Sequence, residues 1–170
     1  MEPMEQAERQ ATVEAIHASA TMLVLAVAGG GNAVITDLLA VPGASRTVLE
    51  ARVPYAETAL AELLKGAVVV VESTAGAVSQ TMAEAMASAC RVRAERLAPG
   101  HHDLIGVGVT AALVTDRTKK GDHRAHLAVA TADGLHHVRV GLKKGERSRV
   151  EEDRVVADAV LRAIAAHSTA

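Results

Sequence analysis

The stretch MLVLAVAGGGN, Met22 to Asn32, limits what this chain can fold into more than any other. Met22 to Ala28 is a continuous apolar run, short enough to be one buried strand. Gly29, Gly30 and Gly31 follow, and beyond Asn32 the residues Ala33, Val34, Leu38 and Leu39 recur at helical spacing. A strand, a glycine turn and a helix start in that order belong to an α/β domain. The first turn of a helix has N–H groups without internal acceptors, so this arrangement aims donors at an anion. Glycine permits positive φ and close approach of a ligand to the backbone. The same three glycines also serve as a tight strand-to-helix connection. Neither G-x-G-x-x-G nor a P-loop GK[ST] is present to separate the two readings.

The core implied by the composition is unusual. Apolar residues make up 49% of 170 residues, yet Phe and Trp are absent and Tyr55 is the sole tyrosine. Ala, Val, Leu and Met must therefore fill it, and base stacking on Phe or Trp is excluded. A net charge of −2 gives no nucleic-acid footprint and no polybasic membrane surface. No apolar run approaches a membrane span, and the polar MEPMEQAERQ start is unlike a signal peptide. Cys90 is the one cysteine, which fits a reducing cytoplasm. The length suits a single domain over residues 1–170.

In chain order, Glu5 to Ala20 is expected as a helix whose inner face is Ala7, Ala11, Val13, Ile16 and His17. After the glycine turn a helix ends at Val41-Pro42-Gly43, since Pro42 disfavours helical geometry at Val41 and Gly43 suits a turn. Val48, Leu49 and Val53 follow, and Pro54 puts Tyr55 at the head of a helix from Ala56 to Leu64. Ala67 to Val71 is expected as a strand. Ser79 sits at an N-cap position before an alanine-rich helix from Gln80 to about Leu97. Leu104 to Val109 is expected as a central strand that something approaches closely at Gly106 and Gly108. Thr110 to Arg124 is then a polar loop with Arg117, Lys119, Lys120, His123 and Arg124. Ala125–Ala130 and Leu135–Leu142 form a hairpin around Asp133-Gly134, and a helix from Ser148 to Ala166 closes the chain.

Histidines occur as His101-His102, His123-x-x-His126 and His136-His137. Adjacent residues on a strand face opposite sides, so neither adjacent pair chelates from one side, and no metal site is expected. Cys90 within an alanine-rich helix reads as a small buried apolar residue. Ser-His-Asp catalysis has no nucleophile elbow to support it. Arg117, Lys119 and Lys120 are either a solvated loop or an anion-binding one.

The order of motifs resembles the C-terminal domain of the CinA family, the competence/damage-inducible proteins. Those motifs are the glycine turn, PGAS at Pro42 to Ser45, the lone Tyr55, GAVS at Gly76 to Ser79, GVGVT at Gly106 to Thr110, and KGERSRV at Lys144 to Val150. The resemblance covers Glu5 to Ala166 and implies a three-layer α/β/α sandwich with a mixed sheet. Stand-alone members of that family are nicotinamide-nucleotide amidohydrolases, without a cofactor. Registered on PGAS, the family's Glu-Ser-Cys-Thr-Gly-Gly falls on Val27, Ala28, Gly29, Gly30, Gly31 and Asn32. The serine nucleophile's place is thus held by Ala28 and the glutamate's by Val27. Of the family's Tyr-Ser-Asn-x-x-Lys, Tyr55 matches, but the lysine position is Leu60. The loop after Gly108 lacks the family's proline and later glycines.

Ala28 cannot form an acyl-enzyme. The expected role is therefore binding of a pyridine or other nucleotide, or a phosphate ligand, without the usual serine chemistry. The alternative is an active amidohydrolase that converts nicotinamide mononucleotide to nicotinate mononucleotide and ammonia. In that case a water activated near Tyr55, Thr110 or Asp116 replaces the serine. The ligand-binding set is Gly29, Gly30, Gly31, Asn32, Ser45, Arg46, Thr115, Arg117, Lys119 and Arg124. No nucleic acid or membrane partner is expected. Alanine-rich helices without aromatics bury little area each, so a homo-oligomer in the cytoplasm is expected.

Overall fold

A computed structural model describes residues 1–67 and 76–169. Helix α1 (Gln6–Ala18) precedes β1 (Met22–Ala28), α2 (Ala33–Ala40), a short 3-10 turn (Ala44–Arg46) and β2 (Val48–Arg52). Then come α3 (Glu57–Leu64), α4 (Gln80–Leu97), β3 (Leu104–Ala112), β4 (His123–Thr131), β5 (Gly134–Leu142) and α5 (Arg149–Ala166). The strands form one mixed sheet in the order β2-β1-β3-β4-β5. β1 runs parallel to both β2 and β3, whereas β4 and β5 are antiparallel additions. The strand expected over Ala67–Val71 lies, beyond Ala67, outside the described residues.

The apolar run of β1 is explained by burial on both faces. Leu23, Leu25 and Val27 join a core with α1, α2 and α5, while Val24 and Ala26 join a second one with α3 and α4. The result is the three-layer α/β/α sandwich. On α1 only Val13, Ile16 and His17 are buried, and Ala7 and Ala11 are exposed. His17 is more enclosed than an amphipathic helix requires. Its Nδ1 lies 2.9 Å from Thr47 Oγ1 and its Nε2 lies 2.8 Å from the Leu38 carbonyl. It thereby joins α1, α2 and the entry to β2.

What approaches Gly106 and Gly108 is the backbone of α4. A Cβ on Gly106 would stand 2.1 Å from the Ala87 carbonyl oxygen and 2.2 Å from Arg91 N. On Gly108 it would stand 2.4 Å from the Ala83 oxygen and 2.5 Å from Ala87 N. Ala83 and Ala87 face Ala128 and Ala130 of β4 across the same seam. A helix this close to a sheet has no room for large side chains, which accounts for the alanines of α4. Cys90 lies in this layer, and burial, with smaller opposing influences from Arg52 and Glu50, pushes its thiol up to about 12. It is a packing residue and not a reactive one.

On the opposite face a buried ionic network ties the N-terminus to α5. Asp158 is fully buried and accepts hydrogen bonds from Met4 N and from Arg9 Nε at 2.7 and 2.8 Å. Arg154 bridges Asp158 to Asp37 of α2. Burial alone would raise the Asp158 carboxyl, but the bonds from Arg9 and Met4 and the charge of Arg154 leave it below its ordinary value. Glu5 to Ala18 is thus held in place largely by residues more than a hundred positions away.

Because the atoms nearest Gly108 are backbone and the next, Met86 Cβ at 2.6 Å, is fixed to it, no rotamer change relieves a side chain there. Gly108→Val should lose about 3 kcal/mol or more of stability in urea unfolding followed by circular dichroism. Gly121→Ala, whose Cβ would meet nothing nearer than Arg124 Nη1 at 4.0 Å, should stay within about 0.5 kcal/mol of wild type. Equal losses in both would contradict the close-packed seam.

Candidate functional site

In open α/β sheets ligands bind outside the carboxyl ends of strands, where the strand order changes direction. Here that point is β1. Its next strand in sequence, β2, lies on one side and β3 lies on the other. Ala28 and Thr110 are register partners at the carboxyl ends of β1 and β3. The glycine turn, the loop over residues 113–122, the end of β2 with Tyr55, and the N-terminus of α4 therefore gather at one edge.

The glycine turn is built as expected up to its donors. Gly29 and Gly31 have positive φ, and a Cβ on Gly29 would stand 2.2 Å from the Ala111 carbonyl oxygen. Gly30 is close to a side chain instead, its Cβ position 2.4 Å from Leu113 Cδ1. The N–H groups of Gly31 and Asn32 donate to Asp153 Oδ1 at 2.7 and 3.0 Å, and that of Ala33 donates to Oδ2 at 3.0 Å. Asn32 Nδ2 adds a longer contact of 3.4 Å. The anion that meets these donors is a carboxylate of the chain itself. Asn32 makes no side-chain cap of its own, so Asp153 caps α2 from another helix.

The first turn of α5 holds the rest of this edge as well. Arg149 donates to the carbonyls of Gly29 and Val114 at 2.9 and 2.7 Å. Glu152, fully buried, accepts from Val114 N at 2.8 Å and lies 2.7 Å from His123 Nδ1. Ser148 and Glu151 form a capping box that starts the helix. In the sequence Ser148 marks the helix start and Arg149 falls within KGERSRV, but neither they nor Glu152 and Asp153 are among the expected site residues, because an acidic first turn is already explained by the dipole of α5.

Thr110 lies within β3, three residues longer than expected, and not in a loop. Its side chain is buried and its hydroxyl donates to the Ala77 carbonyl at 2.6 Å. Arg124 likewise belongs to β4 and donates to the carbonyls of Val78 and Asp122 at 3.1 and 3.3 Å. Both residues therefore fasten the approach to α4. Tyr55 is 70% exposed just beyond β2. Asp116 and Arg117 are exposed on the 113–122 loop, where the Thr115 hydroxyl donates to the Arg117 carbonyl. The Lys119 carbonyl accepts from Lys144 Nζ at 2.8 Å. Ser45 and Arg46 are not brought to this edge. Their 3-10 turn precedes β2 at the end where Val48 pairs with Leu23, about 20 Å away along the strands.

On the α4 side of the crevice Ala28 packs against the second core. Leu60, in the place where the family resemblance puts a lysine, packs there too. Val27 is buried in the first core. Among the described residues, no hydrogen bond joins the Thr110 hydroxyl to a histidine or carboxylate. Among the described residues the Thr110 hydroxyl is committed to the Ala77 carbonyl.

The fold defines the class: a three-layer α/β domain with strand order 2-1-3-4-5 whose last two strands turn back antiparallel. Solved structures with the CinA fold match it over nearly its whole length. The competence/damage inducible protein CihA from Agrobacterium tumefaciens superposes with a TM-score of 0.74 at 20% identity, covering 98% of this chain and 99% of that one. A CinA superfamily protein from Enterobacter cloacae gives 0.74 at 14% identity over 98% and 97% of the two chains. The competence damage-inducible protein A (ComA) from Klebsiella pneumoniae gives 0.69 at 14% over 94% of each. At these identities the likeness is one of fold. No family model and no curated protein matches the sequence.

Removing the Asp153 carboxylate leaves the N–H groups of Gly31, Asn32 and Ala33 unpaired in a partly buried turn. Asp153→Ala should cost about 2–3 kcal/mol in urea unfolding, the penalty for orphaned donors to a charged acceptor. A loss under about 0.5 kcal/mol would show that water replaces the carboxylate without penalty.

Proposed function

We propose that this is a CinA-like nucleotide-binding domain that does not run serine amidohydrolase chemistry. One observation carries the proposal. Ala28 closes β1 at the point where the strand order turns, directly beside Thr110, and a methyl group stands where the family resemblance places the attacking hydroxyl. Thr110 does not substitute for it, because its proton is directed at a carbonyl. Without a nucleophile, what remains is binding and donor placement.

The ligand's anionic part is assigned to the 113–122 loop and the start of β4, where Arg117, Lys119 and Arg124 supply charge. The glycine turn holds the loop geometry and leaves its donors with Asp153. The alternative, hydrolysis by a water activated near Tyr55, Thr110 or Asp116, has less support, since Tyr55 and Asp116 are exposed and unattached to Thr110. Among the described residues no helix is long and apolar enough to cross a membrane. A cytoplasmic location is part of the proposal.

Nicotinamide mononucleotide offered to the purified protein should release no more than trace ammonia. Calorimetry should show binding of the same nucleotide, weakened about tenfold by Arg117→Ala or Arg124→Ala with the fold intact by circular dichroism. Ammonia release on the order of 10 per second would establish the hydrolytic alternative. Absence of binding to any mononucleotide would remove the proposed role.

The proposal includes a homo-oligomer. Since Ala83 and Ala87 of α4 are taken up inside the chain, the interface has to use other surfaces. Light scattering at micromolar concentration should give a dimer or larger, and a clean monomer mass would refute it.

A further inference from the structure

The register of β4 and β5 brings together two histidines that are eleven positions apart in sequence. Ala128 is the partner of His137, so His126, two residues earlier on β4, lies diagonally across from His137 on the same face of the sheet. Their rings stack with centroids 5.2 Å apart, and His126 Nδ1 lies 2.9 Å from His137 Nε2. His126 is 9% exposed, and His137 is half-buried on the edge strand, within reach of solvent. His126 is also the register partner of Thr110, so the pair stands one strand from the crevice.

We propose that His126 Nδ1 and His137 Nε2 form a two-nitrogen site for a late divalent transition metal, Cu(II) or Ni(II). Two nitrogens 2.9 Å apart, each bound at about 2.1 Å, subtend an angle of about 90° at the ion. That is the angle between neighbouring ligands in square-planar or octahedral coordination, and it is well below the tetrahedral angle of a structural zinc site. To take the ion the rings give up their hydrogen bond and turn so that both lone pairs face it. The donor ring's proton moves through water to that ring's other nitrogen, so a neutral pair binds without net proton release.

The surroundings select by ligand type and not by charge. Arg124 and Arg139 lie near His126, and Glu84 of α4 lies near His137. Burial, then the charges of His137, Arg124 and Arg139, holds His126 below its ordinary value. Burial also lowers His137, with Glu84 opposing it. The two arginines disfavour hard cations such as Mg²⁺ that rely on charge. Among the described residues no third His, Cys, Asp or Glu joins the pair, so water or an incoming ligand occupies the remaining positions.

The test is titration of the full chain with Cu(II) and with Ni(II) at pH 7.5, read by calorimetry and by electron paramagnetic resonance of the Cu(II) form. One ion per chain is expected, with a spectrum of equatorial nitrogen ligation. His137→Ala should weaken binding at least tenfold, and His102→Ala, an exposed control, should leave it unchanged. His137 sits on the edge strand, so its variant keeps the fold, which circular dichroism checks. No stoichiometric binding of either ion, or binding that His137→Ala leaves at wild-type strength, overturns the proposal.

Discussion

The carboxylate of Asp153 against three successive backbone N–H groups is the contact on which the carboxyl edge of the sheet depends. α2 begins without a side-chain cap of its own, and the turn after β1 is three glycines with no side chains to hold it. The first turn of α5 supplies what both lack. Asp153 takes the donors of the glycine turn, Arg149 joins the Gly29 and Val114 carbonyls, and Glu152 takes Val114 N and His123. A helix 120 residues further along the chain thus sets the shape of the crevice. The same physics that makes a helix N-terminus attractive to phosphate makes it attractive to an internal carboxylate. Whether such a site is open or filled depends on which anion the tertiary structure places there.

The other side of the sheet is governed by distance. Gly106 and Gly108 let the backbone of α4 rest on β3, and Ala83, Ala87, Ala128 and Ala130 keep the seam thin. This layer stands behind Ala28 and Thr110, so the crevice has a rigid floor made of backbone. Phe and Trp are missing from the whole chain, and the alanines of the seam are the residues that such close packing demands.

The crevice is shaped by these two halves. The α5 side holds the loops, and the α4 side presents Ala28, Thr110 and Arg124. The polar groups on the α4 side are directed at the carbonyls of Ala77 and Val78, so they fix the approach to α4, while Arg117 and Lys120 of the 113–122 loop are exposed. The paired histidines of β4 and β5 lie on this face too. They extend its polar chemistry to the second and third strands beyond β1, on which the family resemblance puts an amide-hydrolysing serine.

The sequence alone determined the local elements: the buried strand Met22–Ala28, the glycine turn, the Ser79 cap with its helix, the Asp133-Gly134 hairpin and the C-terminal helix. Each rests on periodicity, φ requirements or capping within a few residues. It also pointed, through motif order, to a fold that solved structures match. Only the tertiary structure decided what the glycine turn binds, because Asp153 lies 122 residues from Gly31 and reads locally as an acidic helix start. It also extended β3 past Thr110, since pairing with β4 and not local propensity ends that strand. It sent Ser45 and Arg46 to the far edge, because parallel pairing of β2 with β1 puts the residues before β2 at the amino ends of the strands. And it joined His126 to His137, a contact set by strand register, which no spacing along a single strand expresses.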